Sequence, residues 1–274
     1  MKYKLIACDM DETLLNDDKE VSQQNYDAIT QARELGIKFV LASGRGFMNI
    51  QETAKRLNIH NQSNEYIISF NGGVITENKD NKILLQQGIT FEQVNELFKI
   101  GLGYDVGFHI YTLDTVYIYR ISDEERDYMT GRLDNCINLT EPNLDFLANQ
   151  VIMKILFQND DRHYLEKIAQ AIPKDVLSTF TISYSGNRYI EFNQQGVSKG
   201  DALIKLAEQL NIKREEIIAI GDNNNDISML KAAGLSIAVA NATNDAKIAA
   251  KVVSHYNNNQ SAVAQIIDQY VLAK

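Results

Sequence analysis

The sequence predicts an α/β fold: a Rossmann-like parallel-sheet core carrying an inserted α+β domain. Three observations lead there. Apolar runs of strand length alternate with amphipathic helical stretches at the start of the chain, the same alternation returns at its end, and the part between them has a different, tyrosine-rich texture. Tyr3 to Cys8 is the first strand run. Ser22 can cap a helix whose apolar positions Tyr26, Ile29, Ala32 and Leu35 recur every three residues, and Gly36 suits its end. Ile37 to Ala42 reads as a second buried strand, a helical stretch near Phe47 to Leu57 follows, and Tyr66 to Phe70 is a third strand. Such alternation implies a parallel sheet wound by right-handed crossovers.

The late half repeats the pattern. Lys199 to Leu210 reads as helix, Ile217 to Ile220 as strand, Asp226 to Ala233 as helix and Leu235 to Val239 as strand, with closing helices at Asn244 to Ala250 and Ser261 to Leu272. In between, eight of the thirteen tyrosines fall between residues 104 and 189, among alternating runs such as Val116-Tyr117-Ile118-Tyr119 and Val151 to Phe157. Helices near Phe91 to Ile100, Asp123 to Leu133 and Asp161 to Ile172 are expected to pack on a mainly antiparallel sheet. The expected domains are therefore a core made of residues 1–83 and 190–274, and an insert made of residues 84–189. Tyr117 and Tyr119 share a strand face, where they could meet a ligand; packing against helices explains them as well.

Composition narrows the partners. The chain has 274 residues, 45% of them apolar, and a formal net charge of -9. That balance disfavours nucleic acid and anionic membranes, though not a local basic pocket for a small anion. No apolar run has membrane-spanning length, and the first residues enter a strand pattern directly rather than a signal peptide, so the cytoplasm is the expected location. Cys8 and Cys136 are too few and too far apart for a disulfide framework. Cys8, in a central strand, reads as a small buried hydrophobe rather than a nucleophile.

Four polar motifs fall where strands of a parallel sheet end, which is where such sheets bind ligands. Asp9-Met10-Asp11 puts two carboxylates after the first strand, on one face if the strand continues; an Asp-rich turn is the alternative. Ser43-Gly44 offers a hydroxyl and an unhindered N–H to an anion, or simply a turn. Gly196-Val197-Ser198-Lys199-Gly200 sets a lysine in the first turn of a helix, where the helix dipole disfavours it unless an anion is near; a solvated lysine is the alternative. Gly221-Asp222-Asn223-Asn224-Asn225-Asp226 holds more Asp and Asn than one helix cap requires. Together these motifs would gather Asp9, Asp11, Asp222 and Asp226 with Lys199 as the one obvious cation. Coulomb repulsion then calls for a divalent ion, and oxygen donors favour Mg²⁺ over zinc. The four histidines are scattered and read as incidental.

With these residues in view the chain resembles a haloacid dehalogenase superfamily phosphatase of the Cof-type, subfamily IIB. Asp9-x-Asp11-x-Thr13-Leu14-Leu15, the Ser of Leu41-Ala42-Ser43-Gly44-Arg45, Lys199 in its Gly-Val-Ser-Lys-Gly setting and Gly221-Asp222-x-x-Asn225-Asp226 occur in that family's order, as does Phe70-Asn71-Gly72-Gly73 before the insert. The insert stands where the family has its cap. The resemblance implies that Asp9 is the nucleophile, forming an aspartyl-phosphate, and that Asp11 is the general acid and base. It implies Mg²⁺ held by the Asp9 side chain, the Asp11 carbonyl and Asp222, with Asp226 behind them. Met10 and Gly44 through their N–H groups, Ser43, Lys199 and Asn225 would cradle the phosphoryl group, and Arg45, Asn71 and Gly72 would contact the rest of the substrate. Asp11 must be neutral for the first step, so its carboxylate neighbours are expected to raise its pKa.

The implied function is a Mg²⁺-dependent phosphatase for small phosphorylated metabolites, sugar phosphates first, with the cap closing over the site. A phosphomutase of the same fold, passing the phosphoryl group to a second hydroxyl, fits the same motifs. A phospho-Asp signalling module fits less well, because it has no use for a large insert or for an acid/base that discharges the intermediate. Oligomeric state is not encoded in any motif.

Overall fold

The computed structural model describes residues 2–130 and 135–273. Two compact units emerge, one made of residues 1–86 and 198–274 and the other of residues 87–197. In chain order the first passage holds β1 (Leu5–Cys8), α1 (Gln23–Glu34), β2 (Lys38–Ala42), α2 (Gln51–Arg56), β3 (Tyr66–Ser69), β4 (Val74–Glu77) and β5 (Lys82–Gln86). The second unit holds α3 (Phe91–Gly101), β6 (Gly107–Tyr111), β7 (Val116–Tyr119), α4 (Asp123–Met129), β8 (Cys136–Leu139), β9 (Lys154–Gln158), α5 (Arg162–Ala171), α6 (Lys174–Leu177), β10 (Phe180–Ser185) and β11 (Tyr189–Gln194). The chain then returns with α7 (Lys199–Gln209), β12 (Ile217–Gly221), α8 (Ile227–Ala232), β13 (Leu235–Ala238), α9 (Asn244–Ala249), β14 (Val252–Val253) and α10 (Ala262–Ile267).

The first unit is built on one sheet in the order β14-β13-β12-β1-β2-β3-β4-β5, parallel from β14 to β3 and antiparallel beyond. β1 is wholly buried, with Cys8 opposite Leu41 on one side and Ile220 on the other. Both faces of a parallel sheet are covered, so its strands read as unbroken apolar runs. α1 begins where Ser22 Oγ accepts the Asn25 N–H and ends at Gly36, whose φ of 86° a side chain would oppose. β4 and β5 are unforeseen. Only four residues separate β3 from β4, too few for a crossover, so the chain turns back and extends the sheet antiparallel.

The second unit carries the sheet β10-β11-β9-β6-β7-β8, antiparallel except for the β7/β8 pair. One face, with Phe108, Ile110, Ile155, Phe157, Ile190 and Phe192, shares a core with Val94, Leu97 and Phe98 of α3 and with Leu165 and Ile168 of α5. Tyr117 and Tyr119 pack against that same core, so their shared face is a packing face. The opposite face is polar. Lys154 Nζ bonds Glu191 Oε2 at 2.5 Å and lies 4.5 Å from the Tyr111 ring centroid. His109 sits 3.3 Å from Glu125 Oε1, which also accepts the Tyr189 hydroxyl at 2.6 Å. Burial, then the charges of Lys154 and Arg188, push His109 down to about 3, so it is neutral. β11 belongs to this sheet by its pairing with β9 and β10, which carries the second unit to residue 197 where a limit at 189 was expected. α4 ends at Met129; residues 131–133 of the helix expected there lie outside the described residues. Among the described residues no helix is long and apolar enough to cross a membrane.

Candidate active site

Four of the parallel strands deliver polar residues at their carboxyl ends: β1 gives Asp9, β2 gives Ser43, β3 leads to Asn71, and β12 gives Asp222. β1 lies between β2 and β12, where the winding of the sheet changes direction, the point at which open parallel sheets bind ligands. The loop after β1 is a tight turn over Met10–Leu14 in which Glu12 takes a left-handed φ of 61° and Leu15 N–H returns to the Met10 carbonyl. This turn separates the two carboxylates of the first motif. Asp9 is buried, whereas the Asp11 side chain is one-third exposed and joins Arg45 in a two-pronged pair, Nε to Oδ2 at 2.9 Å and Nη2 to Oδ1 at 2.6 Å. The expectation of one shared strand face is corrected, because the strand ends at Cys8.

Asp9, Asp222 and Asp226 form the acidic cluster, with one carboxylate oxygen of each within 4.8 Å of the others and all three residues buried. Lys199 is fully buried among them; its Nζ donates to Asp9 Oδ1 at 2.5 Å and to Asp226 Oδ1 at 2.6 Å. The alternative of a solvated lysine is thereby removed. The remaining Asp226 oxygen accepts the Asp222 and Asn223 N–H groups, each at 3.0 Å. Thr13, whose role the sequence left unread, donates its hydroxyl to Asp222 Oδ1 at 2.7 Å. A threonine two residues after the second carboxylate was the signal.

The charge balance of this cluster is unfavourable. Burial first, then the Asp226 carboxylate, push Asp9 up to about 7 against the pull of Lys199. Burial and the charges of Asp9 and Asp226 raise Asp222 as well. Burial opposes the ammonium form of Lys199, but Asp226 and Asp9 outweigh it and hold the lysine above its usual range. Cys8 is buried with its thiol pushed up by burial and then by Asp9, so it is no nucleophile. Three carboxylates facing one ammonium are a donor set for a hard cation. Asp226 spends both oxygens on Lys199 and the backbone, while Asp9 Oδ2 and Asp222 Oδ2 have no protein hydrogen-bond partner among the described residues. The residues present fit Mg²⁺.

The residues expected to hold an anion are equally ordered. Ser43 is buried, and its Oγ accepts the Arg45 N–H at 3.1 Å. Asn225 Nδ2 donates to Asn71 Oδ1 at 3.2 Å, and that oxygen lies against Gly44. Of the residues singled out in the sequence, the structure thus gathers Asp9, Lys199, Asp222 and Asp226 in one cluster, pairs Asp11 with Arg45, and joins Gly44, Asn71 and Asn225.

Comparison with known proteins agrees with this geometry. A family model described as haloacid dehalogenase-like hydrolase matches residues 6–267. YxeH of Bacillus subtilis (strain 168) is 32% identical over 276 residues, covering 99% of this chain and all of that protein. The 5-amino-6-(5-phospho-D-ribitylamino)uracil phosphatase YcsE of the same organism is 28% identical, covering 98% and 96%. Among solved structures, a haloacid dehalogenase-like hydrolase from Bacteroides thetaiotaomicron superposes with a TM-score of 0.82 at 29% identity, covering 98% and 99% of the two chains.

Proposed function

We propose that this chain, which belongs to the haloacid dehalogenase-like hydrolase family, is a Mg²⁺-dependent phosphatase of the Cof-type, subfamily IIB, acting on small phosphorylated metabolites with sugar phosphates first. The observation that carries the reading is Asp9 at the mouth of the central strand, with its carboxylate tied to a fully buried Lys199 beside two further buried carboxylates. Support for the substrate class comes from YcsE, whose named substrate is a phosphate ester on a ribityl chain.

In this reading Asp9 attacks the phosphorus, and the bond from phosphorus to the ester oxygen breaks as the aspartyl-phosphate forms. Asp11 gives its proton to the departing alkoxide, then takes one from the water that cleaves the intermediate and frees phosphate. Asp11 can give a proton only after Arg45 leaves one of the two oxygens it now holds, so the Arg45 pair describes the resting site. Lys199 orients Asp9 and offsets its charge, letting one anion approach another. Ser43, the N–H groups of Met10 and Gly44, and Asn225 receive the phosphoryl oxygens, while Arg45 and Gly72 are left to meet the rest of the substrate. Asp9, the Asp11 carbonyl and Asp222 would hold Mg²⁺, which supplies charge neutralisation at the phosphoryl oxygens.

The test is phosphate release from a panel of sugar phosphates, nucleotides and phosphorylated cofactors, with Mg²⁺ and with EDTA, for the native chain and Asp9→Asn. Metal-dependent release that the variant loses is expected. Release that survives in Asp9→Asn would rule out covalent catalysis at Asp9, and an isomeric sugar phosphate in place of inorganic phosphate would make the protein a mutase.

A further inference from the structure

Phe70, Asn71 and Gly72 are three consecutive residues in the left-handed region, with φ of 51°, 56° and 101°. Asparagine and glycine tolerate that conformation; a bulky phenylalanine does not, and the residue is also buried. Backbone held this way against its preference is over-determined by its surroundings, and such segments gather at functional sites. The neighbouring loops supply that constraint. Phe70 N–H donates to the Arg45 carbonyl at 2.9 Å and Asn71 N–H to the Ser43 carbonyl at 3.0 Å, stitching the turn to the loop after β2. Two glycines of that loop make room for the turn: a Cβ on Gly46 would stand 2.8 Å from the Phe70 ring, and one on Gly44 would stand 3.0 Å from Asn71 Oδ1. On the other side a Cβ on Gly72 would fall 2.2 Å from the Ser198 carbonyl, so the turn also presses against the residue that precedes Lys199. Finally, Asn71 Oδ1 receives the Asn225 side-chain amide.

One turn therefore touches three of the four loops that carry the polar motifs. Resting on the phosphatase reading above, we propose that Asn71 is a positioning residue. Its amide oxygen sets the spacing between Gly44 and Asn225, and it acts on the phosphoryl group through them rather than by contact with the alcohol portion of the substrate. The left-handed turn is the frame that aims it. A side chain that reads the alcohol portion would discriminate among leaving groups, whereas one that spaces phosphate-holding loops affects every ester alike, because all share the phosphoryl group.

The experiment is a double-mutant cycle on the full chain. Asn71→Gly keeps a residue at ease in the left-handed region and removes only the side chain; Asn225→Ala removes the other half of the pair; the double variant closes the cycle. Each protein is assayed with Mg²⁺ on glucose 6-phosphate and on p-nitrophenyl phosphate. Asn71→Gly should lower kcat by about tenfold to a hundredfold on both esters by the same factor, and the double variant should fall no further than the weaker of the two singles. Losses that multiply, or that differ between the two esters, overturn the positioning role while leaving the phosphatase reading intact. If Asn71→Gly fails to fold, Asn71→Ser, which is too short to reach Asn225, replaces it in the same cycle. The cycle is also read in Mg²⁺-dependent binding of inorganic phosphate by calorimetry, which decides the positioning role whichever ester is turned over. A native chain that neither binds phosphate nor releases it overturns both.

Discussion

Lys199 Nζ donates to Asp9 Oδ1 across 2.5 Å, and the lysine side chain has no exposure to solvent. An ion pair so placed is costly to break, because either partner left alone is a buried, uncompensated charge. Lys199→Met is expected to destabilise the fold by about 3–5 kcal/mol and to abolish phosphate release. Denaturant unfolding checks the first and the phosphate assay the second; a loss of stability near zero would mean that the lysine is not what neutralises Asp9 and Asp226.

Stability should depend on pH and on metal together. Asp9 sits at about 7 in the folded chain, whereas an unperturbed aspartate titrates near 4. Between about pH 4 and 7 the folded chain therefore binds a proton that the unfolded chain has lost, and this group's contribution to stability falls as pH rises through that window. Mg²⁺ binds the ionised carboxylates, so its stabilising effect runs the other way with pH. The rise in Tm on adding Mg²⁺ is expected to be larger at pH 8 than at pH 5, by thermal melting with Mg²⁺ against EDTA. An equal or opposite difference would separate the cluster from metal binding.

Thr13 fixes Asp222 through a 2.7 Å hydrogen bond. Partners that orient a ligating carboxylate are worth about tenfold to a hundredfold in metal affinity, so Thr13→Val should weaken Mg²⁺ by that amount with a smaller change in kcat at saturating metal. Titration of activity against Mg²⁺ concentration measures both. Unchanged affinity would leave Thr13 a packing residue.

For Asp11 the leaving group is the probe. Asp11→Asn removes the proton donor and also the base that activates water, and general acid–base catalysis is worth about 10²–10⁴-fold. On a sugar phosphate both steps suffer. On p-nitrophenyl phosphate, whose leaving group needs no proton, the first step should survive, giving one rapid equivalent of nitrophenolate per enzyme followed by slow turnover. Equal losses on both esters without a burst would move the acid/base role elsewhere.

Much of this was legible in the sequence, and the reason differs from residue to residue. β1, β2 and β12 announce themselves because a strand buried on both faces is an unbroken apolar run, and Asp9, Ser43 and Asp222 stand out as the first polar residues after such runs. The burial of Lys199 was harder to read, since it depends on α7 beginning beside the ends of β1 and β12. The Arg45–Asp11 pair and the Asn71–Asn225 bond were beyond reach, joining residues 34 and 154 positions apart through loop conformations that no periodicity encodes. β4 and β5 escaped because a four-residue strand after two glycines leaves too short a pattern to separate from a turn. His109, read as incidental, proves to be a buried neutral imidazole on the face of the second sheet that carries Glu191, a placement fixed by the pairing of three strands (His109 opposite Leu156, Leu156 opposite Glu191) that the sequence does not display.

The position of β1 also bears on how the molecule comes into being. Its two hydrogen-bonding neighbours, β2 and β12, lie on opposite sides of the whole insert in sequence. On a ribosome the strand that ends at Cys8 is synthesised early yet keeps a bare edge until residue 217 has emerged, whereas the contiguous segment 87–197 has its complete set of sheet partners before that. Long-range pairing is slow because loop closure precedes any gain from contact. The strand that leads to Asp9 is thus sealed only after the whole insert has been made, and a nascent chain passes through most of its synthesis with the makings of a site but no activity. Pulse-labelled hydrogen exchange during refolding should find the β9 amides protected before those of β1; simultaneous protection would show the two sheets forming as one.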